Sequence, residues 1–279
     1  MDCTSPIHIN GDIFPCGKCI NCRARSRQEW VFRLRMEYRS CDFGLFVTLT
    51  YDDEKLPSDG VCKRDVQLFL KRLRKNFDSR VLRYYICSEY GDHTHRAHYH
   101  GLLFFNGIKL NADLYDIITR AWSNGFVQFG DIEEGSIVYV TKYCLKGSIV
   151  PKGKNDNFRL LSKMHGGIGV DYIEEQYNYH LGKLDKPTLV HFEGFSAPMP
   201  RYYRTKIMKN LDEVDKVMIQ TMYMQEVNRL RTQRENKNRR KFFNRYPNAS
   251  EYDYTIWRHG VEDRKEELFL KHTKKQNIL

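Results

Sequence analysis

The chain has 279 residues, 41% hydrophobic and 29% charged, a balance that suits a folded core and excludes a disordered chain. No apolar run approaches the ~18 residues of a membrane-spanning helix, and the opening MDCTSPIHIN lacks the basic-then-apolar pattern of a secretory signal, so a cytosolic protein is expected. The net charge is +11, and residues 201–279 hold 19 Lys and Arg against 11 Asp and Glu, which favours nucleic acid as a partner over an anionic membrane, since no basic helix carries a wide apolar face.

Residues 1–22, with Pro6, Gly11, Pro15 and Gly17, read as loop. They hold four of the eight cysteines, Cys3, Cys16, Cys19 and Cys22. In a reducing compartment such a cluster points to metal or redox chemistry before disulfides. Four thiolates suit a structural Zn²⁺. The C-x2-C-x2-C spacing also occurs around [4Fe–4S] clusters, and unliganded thiols are a third alternative. Residues 23–39 read as a basic helix with Trp30, Leu34 and Tyr38 as its apolar stripe. Arg23, Arg25 and Arg27 beside Trp30 fit phosphate contacts plus base stacking on single-stranded DNA, and equally a solvated helix face.

Phe43–Tyr51 alternates as a strand, with Thr48 and Thr50 on one face. Lys63–Phe77 reads as a helix whose apolar face is Val66, Phe69, Leu70, Leu73 and Phe77. Val81–Glu89 and His98–Phe105 read as a hairpin with a long polar loop, whose register the sequence leaves open. Leu114–Trp122 is a short helix and Phe126–Phe129 a brief strand. Ser136–Lys146 reads as a helix stopped by Gly147, with strand as a rival because of its β-branched residues. Pro151–Gly169 reads as loop, residues 170–205 as mixed and aromatic-rich, residues 208–243 as a long polar helix, and the remainder as helical or loosely ordered. The pattern predicts an α+β fold with a central antiparallel sheet flanked by helices. A P-loop pattern is absent.

Two constellations carry chemistry. His98-Tyr99-His100 places two imidazoles on one face of a strand, where they can share a metal. A hairpin would bring Glu89 alongside. Two histidines and one carboxylate leave open positions for water and a phosphate oxygen, a set suited to Mg²⁺ or Mn²⁺ and able to hold Zn²⁺. His93 and His95 read as exposed loop residues. Downstream, Tyr139 and Lys142 are followed by Tyr143 and Lys146 at the same spacing. On a helix the two phenols are i, i+4 neighbours. A phenol is a poor nucleophile at neutral pH unless a cation polarises the phosphate it attacks.

In this order the motifs Phe46-Val-Thr-Leu-Thr-Tyr51, His98-Tyr-His100 and Tyr139–Lys146 resemble those of the HUH endonucleases, with the tyrosines after the histidines as in replication initiators. Pro15-Cys16-Gly-Lys-Cys19-Ile-Asn-Cys22-Arg23, Thr48-Leu-Thr-Tyr-Asp52-Asp53-Glu54, Glu89-Tyr-Gly91 and Pro200-Arg-Tyr-Tyr203 resemble the gokushovirus branch of the Microviridae initiators. The resemblance covers about residues 1–205. It implies an HUH nuclease domain with a ferredoxin/RRM-like sheet over residues 23–205, a Cys-rich segment over 1–22 and a basic helical tail over 206–279.

It further implies a metal held by Glu89, His98 and His100, nucleophilic Tyr139 and Tyr143, and Lys142 and Lys146 offsetting charge. Origin single-stranded DNA would be nicked and religated through a 5′-phosphotyrosine during rolling-circle replication in the cytoplasm of an infected bacterium. A host polymerase and helicase would be partners; a membrane would not, and the oligomeric state is left open. One departure is Tyr99, bulky where the family has an aliphatic residue, and it is expected to pack into the core. The rivals are a transposase or mobilisation nuclease of the same plan, and a non-catalytic nucleic-acid-binding protein.

Overall fold

Alternation of apolar and polar residues sets the centre of the molecule, and the computed structural model shows how far it reaches. The structure describes residues 3, 5–9, 12–78, 80–91, 94–141, 150–182, 189–192 and 195–274. In chain order the elements are β1 (Ile7–Ile9), β2 (Asp12–Phe14), α1 (Ile20–Ser40), β3 (Phe43–Tyr51), α2 (Lys63–Leu73), β4 (Leu82–Tyr90), β5 (Ala97–Phe105), α3 (Ala112–Ala121), β6 (Gly125–Asp131), α4 (Glu134–Thr141), β7 (Arg159–Leu161), α5 (Val170–Gly182), β8 (Leu189–Phe192), β9 (Phe195–Pro198), α6 (Arg201–Met208), α7 (Glu213–Arg245) and α8 (Glu251–Lys274). The fold is mixed α+β. The chain forms two compact units, one of Met1–Arg25 and Ile173–Lys271, the other including Ser26–Tyr172.

The second unit is built on a five-stranded antiparallel sheet in the order β6-β3-β5-β4-β7. Because side chains alternate along each strand, the sheet has two different faces. Leu45, Val47, Leu49 and Tyr51 of β3, Tyr84, Ile86 and Tyr90 of β4, and Tyr99, Leu103 and Phe105 of β5 fill one face. Val66, Phe69, Leu70 and Leu73 of α2, with Leu114 and Ile118 of α3, belong to the same core. Tyr99 is fully buried there. Its hydroxyl lies 2.7 Å from the Tyr51 hydroxyl and accepts from the Cys62 amide at 2.7 Å. Burial pushes both phenols well above the usual tyrosine range. Gly125 opens β6 at φ +156, where an added Cβ would fall 2.4 Å from the Thr50 carbonyl oxygen and the Asp52 amide, so a side chain there would push β6 off β3.

The other face is apolar at one end only. Leu34 of α1, Tyr85 and Cys87 of β4, Leu102 and Phe104 of β5, and Ile137 and Val140 of α4 form its core. Two arginines hold the glycine-rich turn before α5 in place: Arg33 donates to the Ile168 carbonyl from Nη2 at 2.8 Å, and Arg83 donates to the Gly167 carbonyl. Arg83 also pairs with buried Glu37 at 2.9 Å, and the Gly169 amide donates to Glu37 at 2.6 Å. Burial pushes the Glu37 carboxyl upward against the pull of Arg83.

Several elements depart from the sequence reading. On α1 the buried residues are Phe32, Leu34, Met36 and Glu37, and Tyr38 is exposed. Phe32 meets Tyr172 edge-on at 5.2 Å, so the helix buries a second side that a single stripe does not describe. The β1–β2 hairpin, with Ile7 opposite Phe14, lies in the segment read as loop. Likewise β7 lies in a segment read as loop, with Leu160 opposite Ile86.

In the first unit α7 is a 33-residue helix capped by Asp212, whose side chain accepts from the Asp215 amide at 2.8 Å. A capping box opens α8: the Ser250 amide donates to Asp253 at 2.7 Å, and the Asp253 amide donates to Ser250 Oγ at 3.2 Å. Phe242 joins the two helices, with Tyr254 and Trp257 rings 5.3 and 5.2 Å away. Among the described residues no helix is long and apolar enough to cross a membrane.

Candidate metal and tyrosine site

Register decides what meets at the polar end of the sheet. Glu89 of β4 stands opposite His98 of β5, which stands opposite Thr50 of β3; one row further on, Cys87, His100 and Thr48 align in the same way. All six side chains therefore share the face of Tyr85 and Leu102. Glu89 and His100 are each 7% exposed. Glu89 Oε2 lies 3.4 Å from His98 Nε2 and 3.1 Å from His100 Nε2. The ligand atoms of the three residues all fall within 4.8 Å of one another.

The ring nitrogens turned away from the carboxylate have partners of their own. His98 Nδ1 faces the Arg96 carbonyl at 3.0 Å. A carbonyl only accepts, so Nδ1 carries a proton there. In the neutral ring the Nε2 lone pair then points at a carboxylate oxygen, and two acceptors face each other unless a proton or a cation lies between. His100 Nδ1 is 3.1 Å from Thr48 Oγ1, and the Phe46 ring stacks on the imidazole at 5.7 Å. Such outer partners fix ring orientation in metal sites. Arg96, whose carbonyl does this for His98, is itself anchored to Asp53 at 2.5 Å and to the Tyr51 carbonyl at 2.6 Å. Asp53 thus serves the turn after β3.

The donor set fits a divalent ion. Ligands about 2.1 Å from one ion and at right angles stand about 3 Å apart, close to the spacings around Glu89 Oε2. Two imidazoles and one carboxylate, with the opposite side open, are a set that Mn²⁺ or Mg²⁺ accepts.

Tyr139 reaches this cluster from α4. Ile137 and Val140 bury that helix against the sheet, which turns Tyr139 toward β5. Its hydroxyl donates to Glu89 Oε2 at 3.0 Å and lies 3.3 Å from His100 Nε2. The phenol ring meets the His100 ring edge-on at 4.9 Å. Arg27 of α1 donates to the Val138 carbonyl at 3.2 Å, one of the end carbonyls of α4 that lacks a partner within the helix. Arg35 holds the other end of α4 through Glu134, with Nε donating at 2.8 Å. Lys142, Tyr143, Lys146 and His93 lie outside the described residues.

Trp30 packs beside Tyr85 at 5.4 Å, with the Arg33 and Arg159 guanidiniums 4.4 and 5.3 Å from its ring. Arg23 and Arg25 are half-buried on the first turns of α1. Thr48 as the partner of His100, the Arg96 carbonyl as the partner of His98, and Arg27 as a helix-end donor escape the sequence reading. The first two become visible only once the β3–β5 register and the β4–β5 turn are known.

A second cluster lies in the first unit. Cys3, Cys16, Cys19 and Cys22 bring their sulfurs within 4.8 Å of one another. The Lys18 and Cys19 amides donate to Cys16 Sγ at 3.4 and 3.3 Å. Those amides, Cys19 first, hold the Cys16 thiol below its usual range, whereas burial pushes Cys22 up to about 12.

With this geometry in hand, the comparisons with known proteins are specific. Residues 44–148, from β3 through the site to the segment beyond α4, match the family of replication-associated proteins of the ORF2 type. The chain is 33% identical over 221 residues to the replication-associated protein VP4 of Bdellovibrio phage phiMH2K, covering 72% of this chain and 69% of that one. It is 29% identical to the replication-associated protein ORF2 of Spiroplasma virus 4, covering 70% and 68%, and 25% identical to the replication-associated protein ORF4 of Chlamydia phage 1, covering 71% and 54%. No solved structure matches. The chain belongs to this family of phage replication-associated proteins, with a role in phage replication, and it fits an initiator of the Microviridae type.

Proposed function

We propose that the protein nicks and religates single-stranded DNA at the phage replication origin, with Tyr139 as a nucleophile, in the infected bacterium. The observation that carries this reading is the Tyr139 hydroxyl, 3.0 Å from Glu89 Oε2 and 3.3 Å from His100 Nε2. Glu89, His98 and His100 would hold Mg²⁺ or Mn²⁺. A divalent ion so bound supplies Lewis acidity to a phosphate oxygen. Glu89 keeps the phenol oriented by accepting its proton in a hydrogen bond. Thr48 and the Arg96 carbonyl keep the two imidazoles turned inward.

In the reaction the Tyr139 oxygen bonds to phosphorus and the bond to the 3′-oxygen breaks. The phenol proton is lost, and overall the released 3′-oxygen gains one. One phosphodiester replaces another, so rejoining needs no nucleotide hydrolysis. Lys142 and Lys146 are proposed to offset charge on the phosphate or the leaving oxygen, and Tyr143 to make the second attack that closes the circle. The free 3′-OH would prime a host polymerase, with a host helicase opening the duplex. Arg23, Arg25, Arg27 and Trp30 remain proposed contacts to the DNA strand.

The test uses a 3′-labelled single-stranded DNA library with a random core. With Mn²⁺, the label is expected to stay on the protein through denaturing electrophoresis. EDTA, or the double variant Tyr139→Phe with Tyr143→Phe, is expected to abolish it. An adduct that survives in the double variant overturns the tyrosine assignment. Salt-sensitive binding with no adduct under any metal makes the protein a non-catalytic DNA binder.

A further inference from the structure

We propose that Cys3, Cys16, Cys19 and Cys22 bind one structural Zn²⁺ as a tetrathiolate site, separate from the Glu89–His98–His100 cluster. Sequence spacing left three alternatives open, and geometry separates them. Four sulfurs about 2.3 Å from one tetrahedral ion stand about 3.8 Å apart. Cys19 Sγ and Cys3 Sγ are 3.9 Å apart, and all four sulfurs lie within 4.8 Å of one another. A cuboidal iron–sulfur cluster places each thiolate on a different iron, which spreads the sulfurs wider than a single ion does. This cluster is too tight for that.

The backbone is also shaped for thiolates. Lys18 and Cys19 turn their amides onto Cys16 Sγ, and the Cys16 amide turns onto Cys3 Sγ at 3.2 Å. Amides aimed at sulfur offset the negative charge that builds up when four thiolates share one dication. Gly17 makes the loop at φ +71. No disulfide joins these four cysteines, as a metal site requires.

The position explains what the ion would do. Cys3 comes from before the β1–β2 hairpin, Cys16 and Cys19 from the loop after it, and Cys22 from the first turn of α1. One ion would close that loop and start α1 at a fixed point. A segment with few apolar side chains has little else to order it.

The test is metal analysis of the full-length chain carrying His98→Ala and His100→Ala, so that the other cluster contributes nothing. One zinc per chain is expected, falling to none on adding Cys16→Ser and Cys19→Ser. Replacement with Co²⁺ is expected to give the intense visible bands of a tetrahedral thiolate site. In case the serine variants do not fold, the histidine variant alone is titrated with a thiol reagent before and after zinc is chelated; four additional reactive thiols are expected. Zinc content independent of the cysteines, iron with acid-labile sulfide, octahedral Co²⁺ spectra or no gain in reactive thiols would each overturn the site. The outcome is independent of whether DNA is nicked.

Discussion

The two faces of the five-stranded sheet are made by the same strands and do different work. On the face shared with α2 and α3, the buried residues run apolar from one end of β3, β4 and β5 to the other, and the polar atom of Tyr99 is absorbed by Tyr51 and Cys62. On the face of α1 and α4, the same strands are apolar only through Tyr85, Cys87, Leu102 and Phe104, then give way to Glu89, His98 and His100. His98-Tyr99-His100 contains the contrast in three residues: the middle one anchors the fold, and the outer two face Tyr139. A period of two lets one strand segment be rigid because of one face and reactive because of the other.

The comparison can be broken by substitutions that separate the faces. The largest effect is expected from His98→Ala with His100→Ala. Metal-dependent adduct formation should fall on the order of 10³-fold, several kcal/mol of transition-state stabilisation. Folding stability should change by no more than about 1 kcal/mol, because neither imidazole supports the apolar core. Next comes Leu103→Ala on the opposite face, at a fully buried position. It should cost about 2–5 kcal/mol in urea unfolding and leave the adduct rate per folded molecule unchanged. If Leu103→Ala slows the reaction as much as it destabilises, the faces are not separable.

A control lies away from the sheet. Burial, and then His191, depress His180 from 6.5 to about 4. The unfolded chain therefore takes up a proton near pH 6.5 that the folded chain refuses until about pH 4. Stability is fully present above pH 6.5 and falls as the pH drops toward 4, by about 3 kcal/mol at most. His180→Gln should flatten that slope in unfolding measured at pH 5 and pH 7.5, without touching metal affinity. Last, Thr48→Val removes the partner of His100 Nδ1. Mn²⁺ affinity is expected to drop about 10- to 100-fold with no loss of fold; unchanged affinity would mean that the Thr48 hydroxyl does not orient the ring.

Much of this was legible in the sequence where periodicity was strong. Phe43–Tyr51 alternates over nine residues, and β3 has the same bounds. The apolar face of α2 is all buried, although the helix itself stops at Leu73. The β4–β5 hairpin was visible, but its register was not, because Tyr90–Ala97 offers no two-residue turn to fix it; the pairing of Glu89 with His98 had to come from structure. Three-residue strands such as β1, β2 and β7 are too short to alternate detectably. Trp30, Leu34 and Tyr38 misled as a stripe because α1 packs on two sides. The two clusters were named from residue type and spacing, whereas Thr48, Arg96 and Arg27 act through contacts distant in sequence and left no local pattern.

The most direct test of the central claim is to locate the attachment. The metal-dependent protein–DNA adduct would be digested with nuclease and protease, and the peptide carrying the residual nucleotide sequenced by mass spectrometry. Of the 18 tyrosines in the chain, Tyr139 is expected to carry the phosphate, with Tyr143 as its alternate. A phosphate found only on a tyrosine elsewhere, or on no tyrosine at all, would contradict the account.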